Sequence, residues 1–162
     1  MNQSLKKLID DCNDEISDIA VKISSLPKLD SNIKYLTKYA LIKTCGTLEY
    51  VYRSIVADFL DLTASSQVQS YIDKKIRSGS MGVKYESMCN LLCAFDTNWE
   101  KEFKQKINAL PNKQRLIDAA KSLAENRNSF AHGKEPLATF SEICDYYNDT
   151  LQLVWLLDSV VK

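Results

Sequence analysis

The sequence predicts an all-α fold, a single antiparallel helical bundle over residues 1–162, and three observations support this prediction. Gly (4) and Pro (3) are scarce, so few turns are available and the elements should be long. Apolar residues recur at helical spacing along most of the chain, and no stretch shows the sustained alternation of a strand. No repeat or long linker divides the chain, so we expect one domain with a sizeable core.

The first two helices have recognisable ends. We expect Ser4 to cap a first helix that ends near Pro27, because a serine hydroxyl can accept from the free N–H groups of the first turn. Asp30 or Ser31 then starts a long second helix. Gly46 lies inside this helix, where glycine costs about 1 kcal/mol relative to alanine, so we expect another helix to approach it closely.

The rest of the chain reads as shorter helices and one clear loop. Further helices are expected over residues 66–77, 85–95, 99–107 and 111–132, and from Thr139 or Ser141 onward. The stretch 78–82, Ser-Gly-Ser-Met-Gly, is the clearest flexible loop. Gly133 is suited to the left-handed residue that ends a helix, and Pro136 prevents the helix from resuming. In the last helix we expect Tyr147 and Trp155 to be in the core.

Charge and hydropathy narrow the function classes. Lys+Arg and Asp+Glu both number 21, which argues against a broad electrostatic grip on nucleic acid. Any RNA contact must come from a local patch, and the cations between Lys101 and Lys121 are the best candidate. The N-terminus has no apolar signal core, and the most apolar stretch is interrupted by Asp158 and too short to span a bilayer. We therefore expect a soluble, cytoplasmic protein.

The five cysteines do not form a metal-binding pattern. Their number is odd and no pair has CxxC spacing. Cys89 and Cys93 share a helix face, but no second His/Cys pair completes a zinc site. We therefore expect buried free thiols in a reducing compartment, no metal and no cofactor.

The stretch Arg127-Asn128-Ser129-Phe130-Ala131-His132 carries the chemistry. His132 is the only histidine, and histidine is the side chain that titrates near neutral pH. Arginine is well shaped to hold a phosphate. RNA cleavage through the 2′-hydroxyl requires a base, a cation for the phosphate and an acid for the leaving oxygen, and needs no metal if these groups are preorganised. His132 and Arg127 supply the first two.

The spacing indicates that one chain holds half of such a site. Positions five apart on a regular helix differ by about 140° in direction, so Arg127 and His132 do not share a face. With one histidine per chain, acid–base chemistry by two imidazoles requires a dimer, in which a two-fold axis brings two motifs to one groove. The structural alternative is that His132 merely ends a helix, where its imidazolium gains about 0.3–1 kcal/mol from the helix dipole.

The motif Arg127-Asn128-x-x-x-His132 resembles the Arg-x4-His signature of the HEPN superfamily, including the polar residue directly after the arginine. The context Leu48-Glu49-Tyr50 in the second helix is similar to the family's early acidic position. The likeness is greatest to the stand-alone RiboL-PSP type. It implies a small all-α bundle that dimerises so that two motifs line one cleft. It also implies metal-independent endoribonuclease activity, in toxin–antitoxin, antiphage or RNA-processing systems.

Three further residues are candidates to support the site. Asn128 is suited to orienting the histidine or contacting the 2′-hydroxyl, and equally to being a solvated helix residue. Glu49 is suited to pairing with Arg127, or to an i,i+4 pair with Arg53. Toxins of this type that are modified by a nucleotidyltransferase antitoxin carry a tyrosine two residues after the histidine. Lys134 stands there instead, which speaks against that regulation and adds positive charge.

The leading hypothesis is a homodimeric endoribonuclease that cleaves single-stranded RNA without metal, with Arg127 and His132 catalytic and Asn128, Lys134 and Glu49 binding substrate or supporting them. Its expected setting is toxin–antitoxin or antiphage defence, with an antitoxin protein as a further partner and no membrane. The alternative is a non-catalytic HEPN module for dimerisation in such a complex. A third interpretation is an unrelated helical adaptor.

Overall fold

The computed structural model describes all residues, 1–162, and contains helices and connecting segments without a strand. The helices are α1 (Gln3–Ser25), α2 (Ser31–Asp61), α3 (Ser66–Ile72), α4 (Tyr85–Phe95), α5 (Thr97–Asn108), α6 (Lys113–Ala131) and α7 (Phe140–Asp158). A π-helical segment, Asp73–Arg77, continues α3 directly, so the expected helix over 66–77 is present with a change in its winding. The predicted all-α fold is confirmed.

The helix starts follow local capping chemistry, with one difference from the expected boundaries. Asn2, not Ser4, caps α1: its side-chain oxygen accepts from the Leu5 N–H at 2.9 Å. Asparagine is as good a capping residue as serine, and here it lies at the first extended position. Asp30 caps α2 by accepting from the Asn32 N–H.

Helix α2 is the central element of the bundle. It packs against α1, α6 and α7, and buried residues occur along most of its length. Every helix contributes to one hydrophobic core. This central position lets α2 present side chains both to α6, which carries the Arg-x4-His motif, and to the loop before α4.

Two expectations about packing are not met within one chain. Gly46 is exposed, and a Cβ at its position would meet no other atom of the chain within 4 Å, so no helix of the same chain approaches it. Tyr147 is buried as expected, but Trp155 is 40% exposed. Val154, directly before it, is fully buried, so the buried face of α7 includes Val154 and not Trp155.

None of the helices is both long enough and apolar enough to cross a membrane.

Candidate active site

The helix that carries the motif ends at His132, as the sequence predicts. Gly133 has φ +76, and its N–H donates to the Phe130 carbonyl at 3.0 Å. The Lys134 N–H donates to the Ser129 carbonyl at 2.9 Å, which completes the pair of bonds of a Schellman motif. Only glycine adopts this conformation without steric cost, so Gly133 determines where α6 stops and where His132 sits.

Asn126 fixes the chain that returns from this helix end. Its side-chain oxygen accepts from the backbone N–H groups of Leu137 at 2.9 Å and Ala138 at 3.0 Å. Lys38 of α2 also pairs with Glu135 at 2.8 Å. Asn126 directly precedes Arg127, and its role was not predictable from the sequence because its partners lie beyond the helix end.

Arg127 lines a cavity of about 130 Å³ between α2, α6 and the loop that precedes α4. Helix α6 contributes Ala124, Arg127 and Asn128, and α2 contributes Cys45 and Glu49. Arg127 is half-buried, and its guanidinium donates one long bond, 3.4 Å, to the Asn128 side-chain oxygen. Arg127 takes part in no ion pair. The arginine is therefore held beside a cavity with its charge uncompensated.

Glu49 belongs to the same cavity but does not contact Arg127. One carboxylate oxygen accepts from the Met81 N–H at 2.6 Å and the Gly82 N–H at 3.0 Å. The same oxygen lies 3.7 Å from the Arg53 guanidinium, so of the two pairings considered for Glu49 the structure has the i,i+4 pair. Both side chains are at least 90% buried. Burying a charge is costly unless it is paired and hydrogen-bonded, and Glu49 meets both conditions.

Residues 78–82, the stretch expected to be the most flexible loop, are held by hydrogen bonds at their C-terminal end. The bonds from Glu49 hold residues 81 and 82 against α2, and Gly82 adopts φ +74. Lys84, which follows, lines the cavity together with Arg127. Lys84 was not predicted from the sequence, although one signal was present: it is a lysine directly before a helix, where a capping side chain is usual.

His132 lies outside this cavity. It is exposed at the C-terminus of α6, and its imidazole makes no hydrogen bond within the chain. One chain therefore does not bring Arg127 and His132 into one pocket, as expected for two helix positions whose directions differ by about 140°. Lys134 is also exposed and unpaired, two residues further along.

The basic stretch between Lys101 and Lys121 is mostly neutralised. Its ion pairs are Lys104–Glu100, Lys106–Glu102, Arg115–Asp149 and Lys121–Glu125. Asp149 is buried and Glu100 and Glu125 lie on adjacent turns, so a charge count over the stretch alone overstated its positive potential. The positive excess of this surface is therefore smaller than the sequence count indicates, although Lys101 and Lys113 form no ion pair.

Cys45 forms part of the cavity wall as a neutral thiol. Burial raises its pKa to about 12, against the opposing effect of the nearby Arg127 guanidinium. Its Sγ lies 3.7 Å from the Leu123 carbonyl, to which it donates. Of the cysteines expected to be buried, Cys93 is exposed and Cys144 is half-buried, while the others are buried.

Comparison with known proteins gives one family. The family model described as RiboL-PSP-HEPN matches residues 7–162, nearly the whole chain. A search of curated proteins and a search of solved structures gave no significant match. HEPN proteins are all-α, as this chain is, and membership suggests a nuclease or RNA-related function. Because the match covers almost every residue, including both ends of the Arg127–His132 motif, the chain belongs to the RiboL-PSP-HEPN family.

Proposed function

We propose that this protein is a metal-independent endoribonuclease that cleaves single-stranded RNA at a site shared by two copies of the chain. The observation that carries the proposal is the state of the two motif residues. Arg127 is held beside a cavity with no anionic partner, and His132 ends the same helix with its imidazole free. A free cation and a free acid–base group, on a chain of a family suggestive of RNA function, fit phosphodiester cleavage.

The reaction that these groups support uses the RNA's own 2′-hydroxyl. One His132 removes the proton of the 2′-hydroxyl, and the oxygen attacks the adjacent phosphorus. Arg127 binds the non-bridging phosphate oxygens, whose negative charge grows as the attack proceeds. The bond from phosphorus to the 5′-oxygen breaks, and His132 of the second copy donates a proton to that leaving oxygen. The products are a 2′,3′-cyclic phosphate and a 5′-hydroxyl.

The outer face of α2 (Tyr39, Ile42, Gly46 and Tyr50) is the surface on which we place the second copy. Tyr39 is 49% exposed, and Ile42 and Tyr50 are 42% exposed, which is unusual for such side chains on a central helix. Gly46, between them, leaves room for a closely packed helix. A two-fold axis through this face makes the interface self-complementary.

This face also adjoins the motif. Cys45 and Glu49, on the next row of α2, line the cavity that holds Arg127. The Lys38 ammonium lies 5.7 Å from the Phe130 ring, close to the end of α6 that carries His132. A second copy on the outer face of α2 therefore lies beside both ends of the motif, which the single-histidine count requires.

The activity is tested with purified protein and a mixed single-stranded RNA in EDTA. We expect cleavage to continue in EDTA and to leave 2′,3′-cyclic phosphate ends, and a 2′-deoxy substitution at a cleaved position to block cutting there. His132→Ala removes the general acid–base group, whose contribution is typically about 10²–10⁴-fold. Cutting by His132→Ala at the wild-type rate would exclude the assignment.

The dimer is tested by placing a charge on the outer face of α2. Ile42→Glu should convert a dimer to a monomer in sedimentation and abolish cleavage. Val21→Glu, at a 68% exposed apolar position on α1, is the matched control and should change neither. An Ile42→Glu protein that remains dimeric would place the interface elsewhere.

A non-catalytic dimerisation module remains a second candidate, because one chain alone does not bring Arg127 and His132 into one pocket. It predicts a dimer through α2 with no RNA cleavage by the wild type. For the nuclease, we propose a toxin–antitoxin or antiphage setting: expression of the wild type should arrest growth, His132→Ala should not, and co-expression of the neighbouring reading frame should relieve the arrest. Growth arrest by both proteins would separate toxicity from cleavage.

A further inference from the structure

Lys84 lines the same cavity as Arg127, on a segment that four side chains hold in place. Glu49 accepts from the N–H groups of Met81 and Gly82, as described above. The Tyr52 hydroxyl donates to the Gly82 carbonyl at 2.8 Å, and the Ser87 hydroxyl donates to the Met81 carbonyl at 2.7 Å. Val83 is 1% exposed and fills the core. The backbone that carries Lys84 is therefore preorganised rather than free to adjust.

The charges around the cavity leave it positive. Glu49 is paired with Arg53, so the carboxylate in the wall is already compensated. Cys45 is neutral, since burial raises the pKa of its thiol. Lys84 and Arg127 are the two remaining charged groups of the wall, and neither forms an ion pair. Two uncompensated cations beside a cavity of about 130 Å³ favour an anion.

Lys84 also occupies a position where it works against local stability. It is the N-cap residue of α4, and no side chain caps that helix. Serine, threonine, aspartate and asparagine are preferred at an N-cap, and a cation is unfavourable at the positive end of the helix dipole. Residues that break a local rule in this way are expected mainly at functional sites.

We propose that Lys84 is a second substrate-binding residue, which with Arg127 holds a phosphate of the RNA backbone in this cavity. The inference rests on the proposed function for its ligand, because RNA is the polyanion that the family and the motif indicate. Lys84 contacts a phosphate and no base, so it strengthens binding to all sequences alike.

The test is a substitution with opposite effects on stability and on binding. Lys84→Ser introduces a capping hydroxyl and removes the cation, so the melting temperature should rise while RNA affinity falls about tenfold, the effect of losing one charge-assisted bond. The slope of log affinity against log salt should become shallower by about 0.7, the value for one phosphate of a single strand. A purely structural role for Lys84 would instead lower both quantities.

The binding measurements use a fluorescent single-stranded RNA and the His132→Ala protein, so that cleavage does not interfere. Lys7→Gln, at an exposed lysine of α1 that forms no ion pair, is the control and should leave affinity unchanged. Wild-type affinity in Lys84→Ser, an effect equal to that of Lys7→Gln, or no RNA binding by any of these proteins would overturn the inference. If Lys84 governs binding but the wild type does not cleave RNA, the nuclease proposal fails while this one stands.

Discussion

The two ends of the Arg127–His132 motif lie in different environments. Arg127 is half-buried and lines a cavity in which residues 81 and 82 are fixed by hydrogen bonds to Glu49 of α2. His132, five residues later, is exposed, and its position depends on the turn at Gly133. The end suited to holding a phosphate is thus built within one chain, whereas the end suited to proton transfer is left open.

The contrast is the reason that the proposed dimer completes the second end and not the first. A phosphate-binding pocket needs fixed donors, and a single bundle supplies them by packing. In the proposed reaction two imidazoles transfer protons at two oxygens, so a chain with one histidine would obtain the second imidazole from another copy. The predictions that follow test this division.

The largest expected effect separates the two ends in one assay. We expect His132→Ala to lower the rate of RNA cleavage by about 10²–10⁴-fold while RNA affinity stays near the wild-type value. Arg127→Ala should lower affinity as well as rate, because in the proposed mechanism the arginine contacts the phosphate in the ground state and in the transition state. Single-turnover cleavage and fluorescence polarisation measure the two quantities. Equal loss of affinity in both variants would show that the ends are not functionally distinct.

The next prediction concerns a substitution that removes the contacts holding the cavity wall together. Glu49→Ala leaves the Arg53 guanidinium buried without its partner and frees the N–H groups of Met81 and Gly82. Removing one member of a buried ion pair costs about 3–5 kcal/mol, which urea unfolding followed by circular dichroism measures.

Glu49→Gln is the matched control for this loss. It keeps an oxygen that accepts from the loop, so it should cost clearly less than the alanine variant. If both substitutions cost the same, the charge of Glu49 and not its hold on the loop would dominate.

Local sequence signals predicted the helix that carries the motif and its end at His132. Gly133 and Pro136 act within a few residues of the helix end, so their effect is visible in the sequence. For the same reason the start of α2 was predicted at Asp30 or Ser31, and Asp30 is the residue that caps it. The prediction that Ser4 caps α1 was wrong, because Asn2, an equally good capping residue, lies at the extended position directly before the helix.

The cavity was not predicted, because its contacts join distant parts of the chain. Glu49 holds backbone N–H groups 32 and 33 residues away, and a backbone partner leaves no signature in residue types. The prediction that Trp155 lies in the core was wrong for a different reason. Helix α7 is apolar on more than one face, so periodicity alone did not say which face enters the core.

Alanine substitutions at two glycines, Gly133 and Gly46, should change the free energy of unfolding in opposite directions, each by about 1 kcal/mol. Gly133→Ala places a Cβ at φ +76, which costs about 1–2 kcal/mol and displaces the end of α6 that bears His132. Gly46→Ala lies on an exposed helix surface with nothing within 4 Å, so it should stabilise the free chain by up to about 1 kcal/mol.

The same Gly46→Ala protein also tests the dimer. If a second copy packs closely at the outer face of α2, the added methyl group should weaken dimerisation while the monomer becomes more stable. Sedimentation over a dilution series and thermal unfolding at low protein concentration separate these effects. A stabilised monomer with unchanged dimer affinity would exclude Gly46 from the interface.

The smallest effect concerns the thiol in the wall of the cavity. Burial raises the pKa of Cys45 to about 12, so at pH 8 it is protonated and its reaction with iodoacetamide should be slow. Cys93 is exposed, although a hydrogen bond with Glu100 raises its pKa too, and it should react about tenfold faster or more. Peptide mass spectrometry at timed intervals gives both rates. Because only the ionised thiol reacts, and only when the reagent reaches it, rapid labelling of Cys45 would mean that the loop over residues 81–84 opens readily. The cavity beside Arg127 would then form only when RNA binds, and the Arg127 end of the motif would be little more preorganised than the His132 end.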